Sequence, residues 1–311
     1  MSIWDFFRRP RPDKKKEKHV EPEVEVAEPA QQIPPIPGGQ TRPLPPLEES
    51  RPMPARLKYG QATDVGMERS GNQDALLTLS GIIESADSPP PFGMFVVADG
   101  MGGHTDGERA SFVAATTLAR HVTNLVYLPM LAEQELSSDQ PTIPEVLEEA
   151  MQEADRRVKA RVPEGGTTLT AAIIYRNLLY IAHVGDSRAY LINDGNMELI
   201  TRDHSLARRL QEIGHLTPDE AEAYPQKNVL YRAIGQGDML EDVDRATRRL
   251  LPGSQLLLCS DGLWGVVNDQ AILKIIEETA DVQEACDRLI AAANQAGGPD
   301  NITAVLVQMP L

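Results

Sequence analysis

Five aspartates in this chain of 311 residues stand where a strand meets a turn. Asp99 closes "FVVAD" and precedes Gly100, and Asp186 follows "IAHVG" and precedes "SRAY". Asp261 follows "LLLCS" and precedes Gly262, and Asp300 sits in "AGGPDN" just before "ITAVLV". Asp74, in "RSGNQDALL", begins a strand. A carboxylate at a strand end beside glycine puts charge at a sheet rim, where backbone carbonyls are also free. Several such groups brought together would repel one another, and burial would raise their pKa values. Cations resolve that conflict. Oxygen-only donors without Cys or His partners select hard ions, Mg2+ or Mn2+, and a pair of such ions can ionise a water and hold a phosphoryl oxygen. Each Asp-Gly pair alone is an ordinary turn former, and sequence order by itself does not show that the five converge.

The elements that must position these groups are legible from periodicity. "MFVVAD", "TTLTAAIIY", "LLYIAHVG", "SRAYLIN", "QLLLCSD" and "NITAVLVQM" are rich in branched and apolar residues and are bounded by turn residues, as strands are. Those that follow one another closely suit antiparallel neighbours. Helical periodicity marks "GERASFVAATTLARHVTNLV", "TIPEVLEEAMQEADRRVKARV" and "DVQEACDRLIAAANQA". "SLARRLQEIGHLTPDEAEAY" reads as two short helices with a start signal at "LTPDE", and "LPMLAEQELSSDQP" as a surface connection. Strands in runs with helices in pairs favour a layered α+β fold over a doubly wound parallel sheet.

Composition narrows the class further. A net charge of −16 argues against a general nucleic-acid binder. No run of about 18 apolar residues exists to span a membrane. The N-terminus lacks the apolar core of a secretion signal, and two cysteines, Cys259 and Cys286, are too few for a disulfide framework. A cytoplasmic protein is the expectation. Residues 1–56 hold half of the 24 prolines, a basic cluster "KKKEKH" and an acidic stretch "EPEVEVAEP". Such a segment buries too little apolar surface to offset its ordering entropy, so it reads as a disordered or polyproline-like tail. It is either a passive spacer or a docking segment. Trp4, Phe6 and Phe7 beside Arg8 and Arg9 could anchor a partner or a membrane surface, and Thr41 could be a phosphorylation site.

The globular part resembles the metal-dependent protein phosphatases, the type 2C serine/threonine phosphatases, in their bacterial form. The matching segments come in family order: "TDVGMERSGNQDA" (63–75), "VVADGMGGH" (96–104), "GGTTLTAAII" (165–174), "AHVGDSRAYL" (182–191), "TRDHSL" (201–206), "RAIG" (232–235), "LCSDGLWGVV" (258–267) and "GGPDNIT" (297–303). The resemblance covers roughly residues 58–309, and a phosphatase domain is expected over 57–311 after the tail of residues 1–56. It implies a four-layer α-β-β-α sandwich, two antiparallel sheets face to face and flanked by helix pairs, with a two-metal site at one end. It also implies hydrolysis of phosphoserine and phosphothreonine by a water held between the ions. Asp99 would bridge two ions, Mn2+ or Mg2+, with the Gly100 carbonyl completing one coordination sphere. Asp261 and Asp300 would each ligate one ion, and Asp74 would act largely through bound water. Asp186, shared with Asp261, would hold a third. Arg69 would grip the substrate phosphate, and Asn301 and Gln73 would support the site. Segment 201–235 resembles a mobile flap beside it, in which Asp203 and His204 read as structural.

Two positions depart from the family pattern. Met101 stands where many members carry a histidine proposed as general acid. His104 could substitute, could be a surface or helix-start residue, or a bound water could serve. Gln73 stands where many members have glutamate. Trp264 reads as core packing rather than substrate contact, and Cys259 as a buried small residue. The expected partners are phosphorylated proteins, among them Ser/Thr kinases or their substrates, met by a monomer. The alternative reading is a catalytically weak phosphatase-like module tethered to a partner by its tail. Retention of an aspartate at every expected metal position disfavours it.

Overall fold

The computed structural model describes residues 56–81, 91–103, 105–132 and 141–310. The tail readings at Trp4, Phe6, Phe7, Arg8, Arg9 and Thr41 lie outside them, and so does His104.

Two antiparallel sheets form the centre. The first orders its strands β1-β11-β10-β7-β8, from β1 (Lys58–Asp64), β7 (Arg188–Asn193), β8 (Asn196–Leu199), β10 (Gln255–Cys259) and β11 (Ile302–Gln308). The second orders β2-β3-β5-β6-β9, from β2 (Asp74–Gly81), β3 (Phe92–Met101), β5 (Leu169–Tyr175), β6 (Leu178–Val184) and β9 (Asp244–Arg249), with the short β4 (Gly166–Thr167) paired to the end of β3. Alternation along each strand sends successive side chains to opposite faces. On β3, Phe95 and Val97 face the other sheet, where Leu256, Leu258, Val305 and Val307 meet them. Met94, Val96 and Ala98 face outward onto α1 (Asp106–Val122) and α3 (Ile143–Arg161). On the opposite side Leu257, Cys259, Ala304 and Leu306 pack against α7 (Asp269–Glu277) and α8 (Val282–Gln295). Three apolar layers between four structural layers make the expected α-β-β-α sandwich.

The outer helices are set by their own sequences. Small residues on facing stripes, Ala110 and Ala114 on α1 and Ala150 and Ala154 on α3, are fully buried. They let the two helices approach closely over the sheet. Thr142 and Glu145 form a capping box at the start of α3, Asn268 caps α7 and Asp281 caps α8.

Three local readings change. β3 does not end at Asp99 but runs on to Met101, because Gly100 and Met101 pair with Thr167 and Gly166 of β4. The segment after α1 is not simply a connection: a π-helical turn at Thr123–Tyr127 leads into α2 (Leu128–Leu131). β9, "DRATRR", gave no apolar signal. It is an edge strand, paired on one side to β6, and its charged side chains suit an edge exposed to water. Among the described residues no helix is long and apolar enough to cross a membrane.

Candidate active site

The register of β2 on β3 sets Asp74 directly opposite Asp99. Like charges facing each other across a ladder are unfavourable, so this pair needs outside support. One oxygen of Asp74 has it. Ser260 and Thr303, from the other sheet, donate their hydroxyls to Asp74 Oδ2 at 2.8 Å and 2.6 Å. The other oxygen, Oδ1, is buried without a hydrogen-bond partner among the described residues. Asp99 is fixed through its backbone. Its N–H donates to Thr168 Oγ1 at 2.8 Å, and its carbonyl accepts from the Thr168 N–H at 2.8 Å. Gly100 is irreplaceable on steric grounds: a Cβ there would lie 2.2 Å from the Gly107 carbonyl oxygen and 2.5 Å from that of Gln73.

Asp186 lies in the turn between β6 and β7, and Asp261 opens α6 (Asp261–Trp264), a single turn after β10. Trp264 joins them: its indole N–H donates to the Asp186 carbonyl at 3.1 Å. The Arg188 guanidinium sits 3.5 Å over the Trp264 ring, a cation–π stack. Arg188 also donates to Asp203 at 2.7 Å and to the Tyr190 hydroxyl at 3.0 Å. Trp264 is therefore neither simple core filling nor free for substrate. It couples two aspartate-bearing segments to Asp203, whose structural reading fits this buried ion pair.

Arg69 and Asp300 come from opposite ends of the domain. Arg69 NH2 donates to Asp300 Oδ2 at 2.6 Å, and about half of the arginine side chain remains exposed. Asn301 builds the loop that carries Arg69. Its Nδ2 donates to the carbonyls of Val65 at 2.8 Å and Gly71 at 2.9 Å, and its Oδ1 accepts from the Gln73 N–H at 2.7 Å. The loop begins at Gly66, held at φ +82 with its Cα against the Asp300 carbonyl, where a Cβ would stand 2.2 Å from the oxygen. Gln73 also supports the site through its backbone: its carbonyl accepts from Ser111 Oγ and from the Gly100 N–H. Its side-chain amide donates to the Gly103 carbonyl at 3.3 Å.

The electrostatics follow from this crowding. Burial pushes the Asp74, Asp99, Asp186 and Asp261 carboxyls above the usual carboxylate range, and the neighbouring carboxylates push them further. Among the described residues no three carboxyl, imidazole or thiol groups already stand at ligating separation. Yet the rim fits hard cations. Asp74 Oδ1 and Asp261 Oδ1 are buried orphans, the donors are all oxygens, and each carboxylate raises its neighbours' cost of ionisation. A positive ion would satisfy the orphaned oxygens and offset the mutual repulsion.

The other titratable groups nearby are occupied. His183 Nδ1 pairs with Thr170 Oγ1 at 2.8 Å, and its Nε2 lies 3.1 Å from the carbonyls of Gly185 and Arg202. His204 Nδ1 accepts from the Gly185 N–H at 3.1 Å, while Nε2 stands 3.2 Å from Asp244 Oδ2 without hydrogen-bond alignment. Both cysteines are buried and free, and burial pushes each thiol up to about 12, so neither is a nucleophile.

Fold and rim together define an α+β sandwich protein that gathers buried carboxylates suited to hard cations beside a half-exposed arginine. The family model described as "Protein phosphatase 2C" matches residues 69–297, and the chain belongs to that family. It is 37% identical over 249 residues to the serine/threonine phosphatase stp of Listeria innocua, which covers 80% of this chain and 94% of that protein. The Mycobacterium tuberculosis serine/threonine phosphatase PstP/Ppp superposes with a TM-score of 0.66 at 32% identity, over 82% of this chain and 99% of that one. A second structure, the catalytic domain of the phosphatase PstP in complex with two manganese ions, superposes with a TM-score of 0.62 at 30% identity, over 83% and 100%.

Proposed function

We propose that the chain is a metal-dependent phosphoprotein phosphatase that hydrolyses phosphoserine and phosphothreonine. The observation that carries this reading is the arrival of aspartates from five separate stretches of sequence at one rim with Arg69. Asp99 and the Gly100 carbonyl, with Asp74, Asp261 and Asp300, would hold two Mn2+ or Mg2+ ions. Asp186 with Asp261 would hold a third. Such ions supply acidified water and neutralise phosphoryl oxygens.

The chain's own groups do the rest. Arg69 presents a planar fork of donors to the phosphate and orients it. Asn301 keeps that arginine's loop in place. Ser260 and Thr303 hold Asp74 with one oxygen turned away from them. Met101 has no proton to give a leaving seryl or threonyl oxygen, and His183 and His204 are committed to the contacts above. Both cysteines are free thiols, which supports a reducing, cytoplasmic setting. There the substrates would be products of Ser/Thr kinases, since the Listeria innocua relative is named a serine/threonine phosphatase.

The test is hydrolysis of phosphoserine and phosphothreonine peptides by the full chain with Mn2+, Mg2+ or EDTA side by side. Release of phosphate with either ion and none with EDTA is expected. Equal release in EDTA would overturn the metal assignment, and no release with either ion would overturn the activity.

A further inference from the structure

A cavity of about 900 Å3 runs from the aspartate rim to the 203–228 segment. That is far more room than one phosphate needs. At the rim end its wall includes Arg69, Asp261 and Asp300. At the far end it includes Arg208, on α4 (Leu206–Glu212), and Lys227, in the turns after α5 (Pro218–Glu222).

The cations at the far end stand out in a chain of net charge −16. Arg188, also in the cavity wall, is neutralised by Asp203 at 2.7 Å and serves the Trp264 stack. Arg208 and Lys227 are different. Arg208 has one loose carboxylate neighbour, Glu212, at 3.6 Å, and shares a hydrogen bond with Gln211. Lys227 is exposed and has no ion-pair partner among the described residues. Hydrogen bonds tie together the platform beneath them. Ser205 caps α4, Thr217 and Glu220 form a capping box on α5, and the N–H of Leu206 donates to the Val229 carbonyl at 2.7 Å. Two under-neutralised cations on one hydrogen-bonded platform, in the same cavity as Arg69, suit an anion.

We propose that Arg208 and Lys227 read an anionic side chain a short distance along the substrate from the phosphorylated residue. Its charge can come from Asp or Glu or from a second phosphate. This rests on the phosphoprotein reading above and names the substrate class: phosphopeptides with acidic or multiply phosphorylated flanks. The wall also offers the amides of Asn228, Asn268 and Gln270, suited to an extended peptide backbone, and a carboxylate, Asp269, which accepts from the Tyr190 hydroxyl at 3.1 Å.

The test uses the full chain with Mn2+ and three phosphothreonine peptides of one length, differing only in their flanks: neutral, aspartate, or a second phosphoserine. The expected KM is roughly three- to tenfold lower for the acidic peptides, the range that two solvent-facing ion pairs give. That advantage shrinks as salt rises. In Lys227→Gln and Arg208→Gln the KM ratio between neutral and acidic peptides falls toward one, and Lys227→Arg restores it. An advantage confined to the second phosphate assigns the subsite to phosphate, and one shared by aspartate assigns it to negative charge in general. Equal KM across the peptides, or a ratio untouched by both glutamine variants, overturns the subsite while leaving the phosphatase reading standing. Inertness of every phosphopeptide, with p-nitrophenyl phosphate still hydrolysed, overturns the phosphoprotein reading itself.

Discussion

Arg69 donates to Asp300 at 2.6 Å across 231 residues of sequence, so the proposed phosphate-binding arginine is held by a proposed ion-binding carboxylate. Loading the rim with cations would compete for Asp300 and free the guanidinium for phosphate. Arg69→Ala is therefore expected to raise KM for a phosphothreonine peptide about tenfold or more, the worth of a charged hydrogen bond. Steady-state kinetics check this, and an unchanged KM would count against the phosphate role.

Asp99 and Asp261 are expected to be indispensable. Asp99→Ala and Asp261→Ala should each abolish Mn2+-dependent peptide hydrolysis, and isothermal titration should show lost Mn2+ binding in parallel. Full activity in both variants would refute the ligand assignment.

Trp264 offers an optical reading of the same rim, since Trp4 is the only other tryptophan. Its indole N–H is tied to Asp186 and its ring to Arg188. In a Trp4→Phe protein the emission of Trp264 is expected to change as Mn2+ is added, and Arg188→Gln should blunt that change. A spectrum that stays constant through saturation of activity would show that the stack does not sense the rim.

Asn301→Ala removes three hydrogen bonds that shape the loop carrying Arg69. At roughly 1 kcal/mol each, with two carbonyls left wanting donors, the loss of stability should be about 3 kcal/mol. Chemical denaturation measures it. A loss under about 1 kcal/mol would mean the loop holds itself.

His183 supplies one pH dependence of stability. Burial, helped by neighbouring His204, lowers its pKa from 6.5 to about 3. Its folded pKa lies below the unfolded value, so the unfolded chain binds the proton first on acidification. Stability is present above pH 6.5 and is lost as pH falls toward 3. Between pH 7 and pH 5 this one group should cost about 2 kcal/mol. NMR of the imidazole nitrogens should show His183 still neutral at pH 5, and a titration near 6.5 would remove the effect.

Much of this protein is legible one segment at a time. Alternation in "TTLTAAIIY" and "NITAVLVQM" gave β5 and β11, and 3.6-residue periodicity gave α1, α3 and α8, because each pattern records which side of an element faces apolar neighbours. The eight ordered motifs named the family and placed each aspartate near a turn. β9 stayed hidden because an edge strand in water needs no apolar stripe. The short α2 stayed hidden because it extends α1 through a π turn that no repeat announces.

Convergence depends on contacts between distant segments. The β2–β3 register sets Asp74 against Asp99, the packing of two sheets brings Ser260 and Thr303 to Asp74, and the Arg188–Trp264 stack ties Asp186 to the turn that carries Asp261. These contacts join residues up to 229 positions apart, and no local periodicity encodes such distances. Which groups exist, and which element carries each, can be read along the chain. Only the stacking of the sheets, fixed by the apolar layer between them, decided that the aspartates meet and that Arg208 and Lys227 share a cavity with Arg69.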